Sequence, residues 1–172
     1  GQNVTAGTTP GESDCVGIGQ NVTVAGGATA IGSNVNNQAG GAVAIGQDIS
    51  IVGGSVVGTT AIGHNLNANS GIVIGAFSRV QGSAVNAADA AVALGNFTNV
   101  NGAGTVGVGS GTTMTSSFSS HVGGNGNIIG NYNTSVGYGV TVNGAYNTIL
   151  GNGARTSGAG TSNGVAVGHG AT

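Results

Sequence analysis

Ala42-Val43-Ala44-Ile45-Gly46 is the clearest copy of a five-residue motif that returns about every 14 residues along this chain of 172 residues. The motif alternates apolar and small residues and closes in glycine. The closing glycines are Gly19, Gly32, Gly46, Gly63, Gly75, Gly95, Gly109, Gly139, Gly151 and Gly168. The long interval before Gly139 predicts one further, degenerate copy, for which residues 126–130 are the candidate. A fixed period of this length is typical of a solenoid, whose units bury their apolar surface against neighbouring units.

Within each motif, side chains alternate between two faces, as they do in a β-strand. The fourth position is occupied by large apolar residues, and we expect that column to form the core: Ile18, Ile31, Ile45, Ile62, Ile74, Leu94, Val108, Tyr138, Leu150 and Val167. The third position carries mostly Ala or Gly, which would let another backbone approach closely. The pattern therefore predicts an interface with a second copy of the chain at Ala30, Ala44, Ala61, Ala93 and Ala166. The alternative is that this small column faces the second strand of its own coil.

A weaker second strand follows each motif, and Asn or Asp lies two residues past the closing glycine at Asn21, Asn34, Asp48 and Asn65. These residue types tolerate a positive φ in a tight turn. We therefore predict an all-β fold, a single parallel β-roll or β-solenoid over residues 1–172. Its coils are regular over 15–109, degenerate over 110–134 and regular again over 135–168.

Composition excludes several classes of function. Only 3% of residues are charged, the net charge is −2, and the cations are Arg79 and Arg155 alone. Nucleic-acid binding and attraction to an anionic membrane both need clusters of Lys or Arg, so neither partner is expected. No run of 18 apolar residues occurs, which predicts no membrane insertion by this segment. The chain begins without Met or a leader-like segment, which predicts a processed chain or an excised piece.

No arrangement of catalytic or metal-binding residues is visible. The His and acidic residues are too scattered for a metal site or a carboxylate pair: His64, His121, His169, Glu12, Asp14, Asp48 and Asp89. No Ser lies in a Gly-x-Ser-x-Gly context between a strand and a helix. We expect a protein that is not an enzyme and that needs no cofactor or metal. Four glycosylation sequons, at Asn3, Asn21, Asn96 and Asn133, are expected by chance in a chain so rich in Asn and Thr.

Repeated Ala-Val-Ala-Ile-Gly motifs at this spacing resemble the YadA-like head domain of trimeric autotransporter adhesins. The resemblance covers residues 15–109 and, less closely, 135–168. It implies a left-handed β-roll, a homotrimer and a bacterial cell-surface location, anchored in the outer membrane through regions absent here. The implied ligand is an extracellular protein or glycan. A receptor-binding or structural segment of a trimeric phage or virus fibre, in a virion, is the alternative. An ice-binding solenoid fits less well, because the Thr cluster at 112–115 does not repeat.

Three coil intervals are longer than 14 residues, and their extra residues, 54–58, 83–90 and 159–163, would leave the stack at one corner. Long loops on a rigid scaffold are common recognition sites. Aromatic residues and a guanidinium lie near the longest loop, which predicts a ligand or adhesion site formed by Phe77, Arg79, Gln81, Ser83, Asn86, Asp89 and Phe97. The alternative is that the loops are tolerated insertions and that Phe77 and Phe97 stack on each other to fill a widened coil.

Overall fold

A computed structural model of the protein describes residues 1–7, 14–52, 58–81, 91–156, 158 and 160–172. These residues contain no helix, and every strand pairing is parallel. The strands are β1 (Gln2–Ala6), β2 (Val16–Val24), β3 (Thr29–Asn37), β4 (Val43–Ile51), β5 (Thr60–Ala68), β6 (Ile72–Ala76), β7 (Arg79–Gln81), β8 (Val92–Leu94), β9 (Asn99–Asn101), β10 (Val106–Val108), β11 (Thr113–Thr115), β12 (Ser120–Val122), β13 (Asn127–Ile129), β14 (Thr134–Val136), β15 (Thr141–Asn143), β16 (Thr148–Leu150) and β17 (Val165–Val167). The prediction of an all-β parallel solenoid with coils about 14 residues apart is confirmed. The left-handed winding and the homotrimer remain predictions.

Each coil has two limbs that stack on the same limbs of the coils before and after it. Limb A carries the motif and ends at the closing glycine, and limb B follows after a corner. Strands β2 to β5 run through both limbs, whereas later coils divide them into separate strands. Limb A then continues as β6, β8, β10, β12, β14, β16 and β17, and limb B as β7, β9, β11, β13 and β15, with β1 at its start. The register is constant, so that Ala30, Ala44 and Ala61 are aligned in consecutive coils.

The corner between limb A and limb B, the A–B corner, requires glycine and then a residue with positive φ. Gly46 has a φ of 139°, and a Cβ on it would lie 1.8 Å from the carbonyl oxygen of Gly63 in the next coil. No other residue type fits that position. Two residues later Asp48 has a φ of 53°, and Asn21, Asn34 and Asn65 adopt the same conformation. The predicted role of these Asn and Asp residues is confirmed.

The core lies on the opposite side of limb A from the one predicted. The first and third positions of the motif face inward, as Ala42 and Ala44 show, and both are fully buried. The second and fourth positions face outward, and Ile18 at a fourth position is 56% exposed. The prediction that the fourth-position column forms the core is therefore wrong.

The physical reason is the narrow space between the two limbs. Limb B sends large side chains inward, among them Val22, Val24, Ile49, Ile51 and Leu66. A Cβ on Gly17 of limb A would lie 2.9 Å from a methyl carbon of Val4 and 3.3 Å from one of Val24. Limb A therefore has room mainly for small side chains, because the core is already filled from the other side.

The alanines predicted to contact a second chain lie inside the coil. The group comprises Ala30, Ala44, Ala61 and Ala93, which are fully buried, and Ala166, which is 5% exposed. Their side chains are covered by the protein's own limb B and leave no surface for a partner. The prediction of an interface at these side chains is wrong, and the alternative, in which the small column faces the coil's own second strand, is the one observed.

The coils between Gly109 and Gly151 also differ from the predicted register. Residues 126–130 belong to limb B, since β13 pairs with β11 and β15. The further copy of the motif is residues 119–123, where β12 pairs with β10 and β14. The next closing glycine is Gly137, which places Tyr138 within the A–B corner, between Gly137 and the positive-φ residue Gly139, and exposes it to solvent. The segment 110–134 is therefore regular in structure, and only its residue types are unusual.

Buried polar side chains satisfy the backbone where the chain turns inside these later coils. At the corner between limb B and the next limb A, the B–A corner, the Nδ2 of Asn133 donates to the carbonyl oxygens of Gly130 and Gly144 at 2.9 and 2.7 Å. The Nδ2 of Asn147 donates in turn to the Oδ1 of Asn133 at 3.1 Å. Such bonds remove the cost of burying carbonyl groups without partners. Because Asn133 is buried and bonded, its sequon cannot carry a sugar in the folded protein.

Candidate functional site

The two phenylalanines of the predicted site stack on each other, on the outside of the rod. The ring centroids of Phe77 and Phe97 lie 5.1 Å apart, with planes inclined by 6°, and His64 meets Phe77 edge-on. Both occupy the A–B corner position with positive φ. The predicted stacking is confirmed, but both rings are about half exposed and do not fill the coil.

Two of the remaining predicted residues, Arg79 and Gln81, lie within the described part of the chain. Arg79 lies in limb B with its side chain exposed, and Gln81 ends that limb. Ser83, Asn86 and Asp89 lie outside the described residues, as do most of the residues in the three predicted insertions. Gln81 and Ala91, the described residues on either side of 82–90, lie at the end of limb B and at the start of the next limb A. Phe77 and Phe97 lie at the other corner of the coil, the A–B corner.

A second aromatic cluster, absent from the sequence prediction, lies at the B–A corner. Phe118, Tyr132 and Tyr146 occupy the same position in three consecutive coils, and we call them the tyrosine ladder. The centroids of Phe118 and Tyr132 lie 5.5 Å apart, and those of Tyr132 and Tyr146 lie 4.9 Å apart. A ring at every fourteenth residue from 118 to 146 is visible in the sequence. It was missed because the motif register chosen for these coils was wrong.

The tyrosine ladder adds little to the stability of the corner. All three residues have a φ between 53° and 59°, which costs a non-glycine residue about 1–3 kcal/mol. Each offset-stacked pair returns about 0.5–1.5 kcal/mol, and each half-buried ring returns about 1 kcal/mol. Stacking and burial of the rings therefore roughly offset the free-energy cost of the positive φ. The equivalent positions in neighbouring coils hold Gly104 and Asn163, residue types that adopt a positive φ more easily.

The outward side of limb A carries a strip of mainly aliphatic side chains, which we call the apolar face. Its fourth motif positions are aliphatic in every coil, whereas its second positions are interrupted by Thr29, Thr60, Ser120, Thr134 and Thr148. It consists of the exposed residues at the second and fourth motif positions: Val16, Ile18, Ile45, Ile62, Ile72, Ile74, Val106, Val122, Val136, Leu150, Val165 and Val167. Exposure of a single aliphatic residue is ordinary, whereas a contiguous strip is typical of an interaction site.

The outward side of limb B is polar by comparison. Its central residues include Asn36, Ser50 and Asn67, which are in register in consecutive coils. At the adjacent A–B corner, exposed amides bond along the rod: the Nδ2 of Asn21 donates to Asn34, and the Nδ2 of Asn34 donates to Asp48 at 2.9 Å. The two outer sides of the coil therefore differ in chemistry, with aliphatic groups on limb A and amides and hydroxyls on limb B.

One titratable side chain is enclosed in the core. His121 occupies a third motif position, fully buried, with its Nδ1 2.9 Å from the Oγ of Ser135. Its Nε2 has no partner among the described residues, and a Cβ on Gly126 would lie 2.2 Å from that nitrogen. Burial lowers the pKa of the imidazole below its usual value, because desolvation disfavours the charged form.

The described residues offer no other recognisable chemical centre. Within them, no group of three or more His, Cys, Asp or Glu residues is placed to share a metal ion. That part of the chain also contains no helix of the length and hydropathy needed to cross a membrane.

No protein-family model, curated protein or solved structure matches this chain significantly. Function is therefore inferred from the surfaces themselves: the apolar face, the polar side of limb B and the two aromatic clusters.

Proposed function

We propose that this chain is the head of a homotrimeric surface adhesin, a non-enzymatic rod that attaches its bearer to host cells, matrix or other cells. The observation that carries the assembly is the apolar face. Its side chains are exposed in the single chain, and water contact with so many aliphatic groups is removed when copies associate through them.

The dimensions of the apolar face suit such an assembly. Eleven limb A strands, spaced about 4.8 Å apart, extend for about 50 Å, and a three-residue strand is about 10 Å wide. Aliphatic residues occupy most of the resulting area of about 500 Å², which is near the upper end of what monomeric proteins expose. It is also arranged in two parallel rows, the second and fourth motif positions. Two rows provide one surface for each of the two neighbours that a chain has in a closed three-fold assembly.

Adhesion and cell-surface location are supported by the motif resemblance and by the absence of strong charge. A rod whose limb B presents mainly amide and hydroxyl groups, with Arg79 as one exposed cation, offers hydrogen bonds to protein or glycan partners and lacks the cluster of cations that nucleic acid requires. We place the protein outside the bacterial cell, at its outer surface. A virion fibre would use the same surfaces, and immunogold labelling of intact cells and of purified virions distinguishes the two locations.

The test separates assembly from adhesion. Beads coated with the purified chain are applied to epithelial cells and to collagen- and fibronectin-coated plates, and the mass of the chain is measured by analytical ultracentrifugation. Ile62→Asp changes the apolar face, whereas Asn67→Asp changes limb B of the same strand, β5. We expect a trimer for the parent chain and for Asn67→Asp. Ile62→Asp should give a monomer, because the new carboxylate would be buried without a charged partner against a neighbouring chain.

Two results would reject parts of the proposal independently. A monomeric parent chain at micromolar concentration would eliminate the trimer. If the parent chain is a trimer but its beads bind neither the epithelial cells nor the coated plates, adhesion to these surfaces is rejected and the trimer is retained.

A further inference from the structure

Neighbouring rings of the tyrosine ladder overlap only in part, because each ring is displaced sideways from the next. Parallel rings in contact have planes about 3.5 Å apart, yet these centroids are separated by 4.9 and 5.5 Å. Neighbouring rings must therefore be slipped past one another by about 3.5–4 Å, in the offset arrangement that aromatic pairs prefer. Each ring leaves part of a face uncovered, and Phe118, Tyr132 and Tyr146 are 52%, 48% and 58% exposed. The result is an apolar strip that repeats once per coil.

A polar groove is lined by the residues that directly precede two of these rings in the chain, Ser117 before Phe118 and Asn131 before Tyr132. It has a volume of about 350 Å³, and its lining includes Asn101, Thr115, Ser116, Ser117 and Asn131. Asn131 accepts a hydrogen bond from the backbone N–H of Ser117 at 2.8 Å. The groove therefore places amide and hydroxyl groups next to the exposed ring faces.

One residue of the groove lining, Ser116, has a buried hydroxyl group. Its side chain is 5% exposed and lines the groove, and its Oγ has no hydrogen-bond partner among the described residues. A hydroxyl group of this kind is usually bonded when it is buried. The equivalent residue is glycine in the coils before and after, Gly102 and Gly130, whereas another hydroxyl group of the B–A corner, that of Thr105, donates to the carbonyl oxygen of Ser116 at 2.9 Å.

The charge of this region restricts the ligand. Neither the tyrosine ladder nor the groove lining contains an acidic or basic side chain. A charged ligand would lose water there without gaining an ionic partner. The surface suits a neutral molecule that has apolar faces, many hydroxyl groups and a repeat similar to the spacing between coils.

We propose that the tyrosine ladder and its groove bind an extended neutral glycan, with successive sugar rings against successive aromatic rings and sugar hydroxyls in the groove. This inference rests on the proposed adhesive function and names its ligand class. It also places the site at the B–A corner of coils 118–146, away from Phe77 and Phe97.

The test uses the full chain with cellohexaose and chitohexaose as neutral probes and hexagalacturonate as the acidic probe. Binding is measured by calorimetry and by the emission of tyrosine, because two of the three tyrosines lie in the ladder and the chain has no tryptophan. Tyr132→Asn removes the central ring and keeps a residue type that this corner accepts at Asn163. Phe97→Asn is the matched control, since it removes an equally stacked ring at the other corner, where Asn21 and Asn34 occur.

We expect a neutral hexasaccharide to bind and to change tyrosine emission, and hexagalacturonate not to bind. Tyr132→Asn should weaken that binding by about tenfold or more, the effect of losing one aromatic stacking contact, while Phe97→Asn leaves it unchanged. Failure of both neutral probes to bind at millimolar concentration would overturn the proposal, as would equal binding by Tyr132→Asn. A change of oligomeric state in Tyr132→Asn, with no glycan bound by the parent, would instead identify the ladder as a contact between chains. Because these measurements use free sugars, glycan binding can be absent while bead adhesion persists, and bead adhesion can be absent while glycan binding persists. The two proposals can therefore fail separately.

Discussion

Ala44 and Ile45 are neighbours in β4 whose side chains point in opposite directions, and changing each to Glu should have opposite consequences. Ala44 is fully buried in the coil, whereas Ile45 is 37% exposed on the apolar face. We expect Ala44→Glu to unfold the chain and Ile45→Glu to leave it folded but monomeric. The pair therefore reports directly on which side of limb A is the core.

The expected magnitudes follow from burial. A carboxylate at Ala44 would be enclosed without a charged partner, which costs several kcal/mol even after relaxation. The free energy of unfolding of a typical domain is only about 5–15 kcal/mol. At Ile45, the exposed 37% of a side chain worth about 1.5–3 kcal/mol when fully buried corresponds to about 1 kcal/mol of apolar burial in the assembly. Desolvation of the introduced polar group adds about 1–3 kcal/mol. Three copies multiply both costs, so the trimer should lose on the order of 6–12 kcal/mol.

Circular dichroism with thermal unfolding measures the fold, and sedimentation velocity measures the mass. Ser50→Glu is the matched control, because Ser50 lies in the same strand on the outward side of limb B and is only partly buried; we expect it to remain folded and trimeric. The inverted core would be refuted if Ala44→Glu kept the strand signal and the melting temperature of the parent while dissociating. A trimer that persisted in Ile45→Glu at low micromolar concentration would exclude the apolar face as the interface.

Three further predictions concern the core. Gly126→Ala should destabilise the fold by about 1–3 kcal/mol through overpacking, because the new methyl carbon would meet the Nε2 of His121; His121→Ala in the same chain should restore most of that loss, and additive effects in the double-mutant cycle would argue against the contact. The lowered pKa of His121 means that the unfolded state binds a proton more readily. Its contribution to stability should therefore be complete above about pH 6.5 and should be lost as the pH falls below that value. Urea unfolding at pH 7.5 and at pH 5.0 gives the free energy of unfolding at each pH. His121→Leu should reduce the difference between the two values, and an unchanged difference would assign the acid sensitivity to other groups. Asn133→Ala should lower the free energy of unfolding by about 2–4 kcal/mol, because it leaves the buried carbonyl groups of Gly130 and Gly144 without their donor. A decrease below about 0.5 kcal/mol would show that water replaces the amide.

Much of the architecture could be predicted from local features. The 14-residue recurrence predicts stacked coils, because each repeat is too short to bury its own apolar surface. Asn34 and Asp48 are recognisable as turn residues because few residue types adopt a positive φ without strain. Gly46 is recognisable as a corner residue for the same reason. The structure adds a second reason why this position must be glycine: the carbonyl oxygen of the next coil lies where a Cβ would be.

The candidate surfaces were less accessible to prediction. The stacking of Phe77 on Phe97 follows from their shared position after a closing glycine, and it was predicted. The tyrosine ladder lies at the B–A corner, and its alignment depends on the register of limb B, whose motif is weak. A two-residue error near Gly137 was enough to hide the alignment of Tyr132 with its neighbours.

The sequence by itself determined the period, the parallel strands and the identity of the corner residues, because these depend on local backbone conformation and on repetition. It left undecided which face of limb A is the core, since both faces are apolar: Ala44 on one and Ile45 on the other. Only the tertiary structure decided this. Limb B fills the narrow interior with residues such as Ile49 and Leu66, and close packing then admits alanine and glycine opposite them and forces the larger Ile and Val residues outward. The same packing turns the most hydrophobic column of the sequence into an exposed apolar face.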